Sequence, residues 1–146
     1  MKTWIAAAVC AVLGTGGWAD MIIKDANGTV AEAMDRLEGA VTGAGATVFA
    51  RVDHGAGAMS VDMELADAQL LMFGNPMLGT PVMQQDIRAG LVLPLHVLIY
   101  DDNGTTRITY EDIDGMVAGL DVDRDAEVFT RIEGALNNLT NAAAGQ

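Results

Sequence analysis

Cysteine is almost absent from this chain. The one cysteine, Cys10, lies inside the apolar stretch Ile5–Leu13 near the N-terminus, and residues 20–146 contain none. Without thiols, that part of the chain has no disulfide, no thiolate nucleophile and no cysteine ligand for a metal. Its stability therefore has to come from packing, with oligomerisation as a further source.

Serine and basic side chains are also scarce. Ser60 is the only serine, and it lacks the Gly-x-Ser-x-Gly surroundings of a nucleophile elbow, which gives little support to nucleophilic catalysis. Eight Lys and Arg residues stand against 20 Asp and Glu residues, for a formal net charge of −12. Because an acidic surface repels phosphate backbones and anionic lipid, we expect neither nucleic acid nor a membrane as a partner.

The N-terminal residues have the three parts of a secretory signal peptide. Lys2 supplies the positive charge, Ile5–Leu13 the apolar core, and Gly17-Trp18-Ala19 a small-x-small cleavage site. The apolar core is too short to cross a bilayer as a helix. We predict that residues 1–19 are cleaved as a signal peptide and that residues 20–146 form a single domain. The protein is then periplasmic or secreted.

Two amphipathic helices are predicted. The first begins with the capping box Thr29-x-x-Glu32, and its apolar face repeats every three or four residues, at Val30, Met34, Leu37 and Val41. The second covers 125–141, with acidic residues at its N-terminus and an apolar stripe at Val128, Ile132, Leu136 and Leu139. A helical segment is also expected within 75–87, and a short helix or loop within 112–120.

Apolar patterning predicts five strands, over residues 21–24, 47–53, 68–73, 91–101 and 105–111. Asp102-Asn103-Gly104 supplies residues that tolerate positive φ, which predicts a tight hairpin turn between the last two strands. The order of strand, helix, several mostly antiparallel strands and helix is typical of an α+β fold.

Short motifs between Phe49 and Tyr110 occur at a specific spacing. In chain order they are Asp53-His54, Ala68–Leu71, Phe73-Gly74-Asn75-Pro76, Gly79-Thr80, Leu93-Pro94-Leu95, Val97–Asp102 and Tyr110. In these motifs the chain resembles the domain of unknown function 302 family. It departs from that family at His96, where Lys or Arg is more often expected.

The resemblance implies a fold and an assembly. The fold is a TATA-box-binding-protein-like α+β domain, in which a curved antiparallel sheet packs helices on one side in a β-α-β-β-β-β-α core. The assembly is a homodimer. The resemblance implies no activity, and the name of the fold does not bring DNA binding with it.

Residues outside the plain periodic pattern suggest a small-ligand pocket. Glycines in and after the corner that follows the third strand allow close backbone approach, and an asparagine there presents an amide. His54, which follows Asp53 in the chain, and Tyr110 are both expected near this corner in the fold. We predict that the ligand contacts His54, Phe73, Gly74, Asn75, Pro76, Gly79, Thr80 and Tyr110. The plainer interpretations are a structural corner and a hydrogen-bonded histidine.

The leading hypothesis is a homodimeric small-ligand-binding or interaction module with no established activity, and we assign no catalytic residue, cofactor or metal ligand. One alternative is a periplasmic copper-binding protein using His54, Met59 and Met63, because imidazole and thioether suit copper. Against it, methionine commonly fills irregular cores. Another alternative is a hydrolase or isomerase with His54 as the base.

Overall fold

The computed structural model describes residues 21–145, so the predicted signal peptide at residues 1–19 lies outside the described residues. The strands are β1 (Met21–Asp25), β2 (Thr47–Asp53), β3 (Ala68–Gly74), β4 (Leu95–Asp102) and β5 (Thr105–Glu111). The α-helices are α1 (Val30–Gly43), α2 (His54–Met59), α3 (Pro76–Gln85), α4 (Ile113–Met116) and α5 (Glu127–Ala144). A 3-10 helix, Ile87–Leu91, joins α3 to β4.

The five strands form one sheet in the order β1-β5-β4-β3-β2, and every neighbouring pair is antiparallel. Buried side chains alternate with half-buried ones along β3, β4 and β5. The buried set forms one core with α1 and α5, and its strand members include Leu71, Phe73, Val97, Ile99 and Ile108. The predicted α+β fold, an antiparallel sheet with helices packed on one side, is confirmed.

The opposite side of the sheet is the outer face. It carries the half-buried or exposed members of each strand, among them Met21, Ile23, Leu70, Met72, His96, Leu98, Thr109 and Glu111. Each of these residues lies directly opposite another one of the set on a neighbouring strand. Paired residues in antiparallel strands point to the same side of the sheet, so the set shares one face.

Helix α1 forms where the capping box predicts it. The Thr29 hydroxyl accepts a hydrogen bond from the Glu32 N–H, and the Glu32 carboxylate accepts one from the Thr29 N–H at 2.8 Å. Both bonds satisfy donors that a helix start leaves free. The predicted apolar face is buried in full, at Val30, Met34, Leu37 and Val41.

Helix α5 differs from its predicted stripe. Phe129 is buried where the pattern predicts Val128, and the helix runs on to Ala144 instead of ending near 141. The reason is tertiary: the Arg36 Nε donates to the Ala143 carbonyl at 2.9 Å, and the Asn27 N–H donates to the Ala144 carbonyl at 2.9 Å. These bonds satisfy carbonyls that a helix end otherwise leaves to water.

Strand β2 contains a bulge that plain alternation does not predict. Val48 lies opposite Phe73 and Ala50 lies opposite Met72, so the residue between them, Phe49, has no partner on β3. Since Phe73 and Met72 point to opposite faces, Val48 and Ala50 do too. An extra residue of this kind bends the strand and re-aims its side chain. Phe49 is left 57 % exposed beside the end of β3.

Candidate functional site

The corner after β3 is built by two local devices. The Asn75 side-chain oxygen accepts a hydrogen bond from the Met77 N–H at 2.9 Å and so caps α3. Pro76 occupies the first turn of the helix, where a backbone N–H would have no helical partner. Together they end a core strand and begin a helix within two residues, which fixes the direction in which α3 leaves the sheet.

Between this corner and the start of β4 lies a cavity of about 350 Å³, which we call the corner pocket. Its walls come from β2, the corner with α3, the 3-10 helix, the Leu93–Pro94 segment with its cis peptide bond, and α5. The lining residues are Phe49, Gly74, Asn75, Pro76, Leu78, Gly79, Thr80, Met83, Gly90, Leu93, Pro94, Leu95 and Ile132.

Three glycines keep the pocket open. A Cβ atom on Gly74 would contact the Phe49 ring at 3.5 Å, and one on Gly79 would contact the Leu93 side chain at 3.7 Å. A Cβ on Gly90 would meet the Met83 sulfur at 3.6 Å. All three are ordinary van der Waals contacts, so side chains here would occupy pocket space without a clash against the backbone.

The pocket is apolar apart from two of its lining residues. Its polar side chains are those of Asn75 and Thr80. The Asn75 oxygen is engaged in capping, whereas neither the Asn75 amide N–H groups nor the Thr80 hydroxyl donates to a protein acceptor within residues 21–145. A bound molecule therefore meets mostly hydrocarbon, with hydrogen-bond donors offered by these two residues.

The structure brings together five of the eight predicted ligand-contacting residues, namely Gly74, Asn75, Pro76, Gly79 and Thr80. Phe73 is adjacent in sequence but points into the core, where it is 1 % exposed. His54 and Tyr110 lie elsewhere, so the eight residues do not share one pocket.

His54 is far from the corner because β2 and β3 are antiparallel. Thr47, at the start of β2, lies opposite Gly74, and Asp53, at its end, lies opposite Gln69. A strand rises about 3.3 Å per residue, so His54 is roughly 20 Å further along the sheet than the corner. The Asp53 carboxylate is not directed to His54 but caps α2, accepting from the Ala56 N–H at 2.8 Å.

The shape of α2 separates His54 from Met59, one of the two methionines of the copper alternative. His54 and Met59 stand at the two ends of this helix, five residues apart. At about 100° per residue, that spacing rotates Met59 about 140° away from His54. The two side chains therefore leave the helix in different directions.

Tyr110 is only 6 % exposed and lines a second cavity, of about 310 Å³, which we call the outer groove. This groove opens on the outer face and is otherwise lined by Met21, Leu70, Leu91, Val92, His96, Leu98, Thr109, Glu111 and Met116. His96 and Glu111 are its ionisable residues besides Tyr110.

Sequence reasoning predicted only the wall formed by the corner with α3, and it missed the walls from β2, the 3-10 helix, the Leu93–Pro94 segment and α5. Phe49 reaches the pocket only through the β2 bulge, and Ile132 only through the packing of α5 near α3. The Leu93-Pro94-Leu95 motif is visible in the sequence, but its position opposite the corner needs the pairing of Phe73 with Leu95. A prediction that the third and fourth strands pair with each other would have placed the Leu93-Pro94-Leu95 motif opposite the corner.

Asp86 fastens the wall formed by the 3-10 helix. Its carboxylate accepts hydrogen bonds from the Arg88 N–H at 2.9 Å, from the Arg88 guanidinium at 2.6 Å and from the Asp121 N–H at 2.9 Å. Hydrogen bonds from the Arg88 side chain, then from the two backbone N–H groups, hold the pKa of Asp86 well below its ordinary value. The buried carboxylate thus joins the segment after α3 to the loop before α5.

Comparison with known proteins identifies the relatives of this chain. The family described as domain of unknown function DUF302 matches residues 22–139. Two curated relatives are the fluoride-specific ion channels FluC 1 of Brucella suis biovar 1 (strain 1330) and Brucella abortus biovar 1 (strain 9-941). Each is 32 % identical over 128 residues, which are 86 % of this chain and 50 % and 47 % of the respective relative. The chain therefore spans about half their length.

A solved structure is similar to the whole fold. The uncharacterized conserved protein DUF302 from Bacillus stearothermophilus superposes with a TM-score of 0.74, covering 84 % of this chain and 97 % of that one. At 20 % identity, this likeness supports the fold. None of the helices within residues 21–145 has the length and apolar character needed to cross a bilayer.

We predict that Asp86 makes stability depend on acid pH. Because its folded pKa lies below the unfolded one, its contribution is present above about pH 4 and is lost as pH falls through the folded pKa. In urea titrations, the free energy of unfolding of Asp86→Asn should lie below that of the wild type at pH 7, and the difference should shrink toward about pH 2.

The matched control is Glu64→Gln, which removes an exposed carboxylate that makes no hydrogen bond within residues 21–145. This variant should keep the wild-type dependence on pH. A difference between wild type and Asp86→Asn that stays constant over the whole titration would contradict the assignment.

Proposed function

This chain belongs to the DUF302 family, and we propose that it is a homodimeric module that binds a small, mostly apolar molecule in the corner pocket. The observation that carries the proposal is the pocket itself: a cavity of about 350 Å³ with hydrocarbon walls and a few polar groups. Small-molecule sites are commonly concave, mostly apolar and roughly 300–1,000 Å³ in volume. The pocket fits the lower end of that range.

The lining defines the class of ligand. Asn75 and Thr80 line the pocket and carry hydrogen-bond donors, so the ligand carries an acceptor such as a carbonyl or hydroxyl oxygen. The net charge of −12 disfavours an anion. A neutral molecule with a compact hydrocarbon body and one oxygen group is the best match.

Ligand binding accounts for the residues of the corner pocket better than catalysis does. Among the lining residues that the described range 21–145 contributes, Thr80 carries the only hydroxyl, and none is an acid, a base or a thiol. The hydrolase or isomerase alternative would depend on His54, which is exposed at the other end of β2. General acid–base chemistry needs its proton-transfer group within hydrogen-bond reach of the substrate.

Self-association has its own candidate surface, the segment Met59–Leu65. Its apolar side chains are exposed: Met59 at 71 %, Val61 at 63 %, Met63 at 64 % and Leu65 at 57 %. Four large apolar side chains so close together in the chain are costly to leave in water and are typical of a contact surface. We propose that two copies meet there. With the predicted signal peptide, the module would act as a dimer in the periplasm or outside the cell.

A second candidate function comes from the curated relatives. Their names describe fluoride-specific ion channels, and this chain matches about half of each. Since the helices within residues 21–145 include none that can cross a membrane, we propose that the shared half is an accessory domain and that this chain acts beside a fluoride channel.

The ligand proposal predicts that filling the pocket abolishes binding. Benzyl alcohol, an apolar ring with one hydroxyl, should shift backbone amide resonances of the corner-pocket residues in NMR titrations of the wild type. Gly79→Leu should lose these shifts, because its side chain enters the pocket from α3. Gly79→Ala should fold at least as stably as the wild type, since alanine is favoured over glycine in helices by about 1 kcal/mol.

Gly39→Leu is the matched control, because Gly39 is an exposed glycine in α1 and a Cβ atom on it would have no neighbour within 4 Å. This variant should bind benzyl alcohol as the wild type does. Shifts that persist in a folded Gly79→Leu variant would refute the corner pocket as the binding site.

The dimer proposal predicts a change in mass. Size-exclusion chromatography with light scattering should give twice the chain mass for residues 20–146 and the single-chain mass for the double variant Val61→Asp, Met63→Asp. The control double variant Ile87→Asp, Leu91→Asp places the same two charges on residues that are 78 % and 85 % exposed elsewhere, and it should remain dimeric. A monomeric wild type, or a dimeric double variant, would contradict the proposal.

The accessory role predicts a fluoride phenotype. Deleting the gene in its native host should lower the sodium fluoride concentration that stops growth, and expressing the wild-type chain should restore it. Deletion without any change in fluoride tolerance, with normal sensitivity to sodium chloride as the control, would exclude this role.

A further inference from the structure

The outer face carries a transverse row of metal-binding side chains that the corner pocket does not use. Met72 on β3 lies directly opposite His96 on β4, and Met21 on β1 lies directly opposite Glu111 on β5. The β4–β5 register pairs Leu98 with Thr109. His96 lies two residues before Leu98 on β4, and Glu111 lies two residues after Thr109 on β5, so the same antiparallel register puts His96 beside Glu111. The order across four strands is therefore Met21, Glu111, His96, Met72.

Strand spacing brings the Met72 and His96 side chains within reach of one ion. Neighbouring strands lie about 4.8 Å apart, and side chains directly opposite each other start from Cβ atoms about 4.5–5.5 Å apart. An imidazole nitrogen bonds a metal at about 2.0 Å and a sulfur ligand at about 2.3 Å. The flexible Met72 side chain and the His96 ring can therefore meet at an ion placed between them.

The row has space above it and ligands that are not otherwise engaged. His96, Glu111 and Met21 line the outer groove, a cavity of about 310 Å³. Within residues 21–145, neither the His96 ring nor the Glu111 carboxylate takes part in a side-chain hydrogen bond or ion pair. The nearest arginine on β5, Arg107, is already paired with Asp25 and Asp102. No lysine or arginine in the lining of the groove, as far as residues 21–145 form it, competes with a cation.

We propose that this row binds copper(I), with His96 and Met72 as the principal ligands and Glu111 and Met21 beside them. Thioether sulfur is a soft ligand that selects copper(I), and imidazole suits copper as well. Hard ions such as Mg²⁺ and Ca²⁺ prefer sets of oxygen ligands, and the row offers them one carboxylate. The net charge of −12 attracts cations to the surface generally.

This site is separate from the corner pocket and does not depend on the ligand proposed there. No cluster of three or more His, Cys, Asp or Glu residues suited to a metal occurs within residues 21–145. The row holds only two such residues, His96 and Glu111, so it needs its thioethers to form a site. That dependence on Met72 makes the proposal testable by substitution.

The test is an anaerobic competition for copper(I) between residues 20–146 and the chromogenic chelator bicinchoninate. His96→Asn and Met72→Leu should each weaken copper(I) binding at least about tenfold, as loss of a metal-supporting group typically does. The chain has two histidines, so His54→Asn is the matched control and should bind as the wild type does. Circular dichroism checks that each variant is folded.

A second readout observes the sulfur directly. Silver(I), a diamagnetic substitute for copper(I), should shift the methyl resonance of Met72 in carbon–proton NMR spectra and leave that of the exposed Met59 in place. Wild-type affinity in His96→Asn, an unaffected Met72→Leu, or a wild type that fails to compete with the chelator would each overturn the proposal.

Discussion

The register of the antiparallel sheet is the constraint on which the rest of this structure depends. Pairing of Thr47 with Gly74 places the start of β2 at the corner that ends β3, and pairing of Phe73 with Leu95 brings the Leu93–Pro94 segment to the same corner. The same β3–β4 register places Met72 opposite His96 on the other face. A shift of one residue would reverse every face and remove both arrangements.

Two capped turns, combined with this register, form the corner pocket. Asn75 begins α3 immediately after the strand, and Asp86 begins the 3-10 helix that returns to β4. Between the two caps the chain leaves the sheet and comes back, and Leu78, Met83 and Leu93 line the space that remains. The corner is thus first an architectural device, and the pocket is a consequence of where that device holds the backbone.

Local patterns in the sequence are sufficient to predict much of the fold and part of the site. The Thr29 capping box, the Asn103-Gly104 turn and the corner residues from Gly74 to Thr80 are decided by their neighbours, and the structure has each of them. Features that depend on residues far apart in the chain cannot be predicted from local sequence patterns. Phe129 replaces Val128 in the core, and the bulge at Phe49 depends on the fit of β2 against β3. His54 is misplaced for a related reason, because antiparallel pairing puts the residue after β2 at the far end of the sheet from the corner.

The central claim is that apolar molecules enter and occupy the corner pocket. Crystals of residues 20–146 held under xenon gas test it most directly, because xenon occupies apolar cavities and is located by its electron density. A xenon atom is expected among Phe49, Gly79 and Leu93. Xenon bound elsewhere in the crystal, with none in this pocket, would contradict the claim.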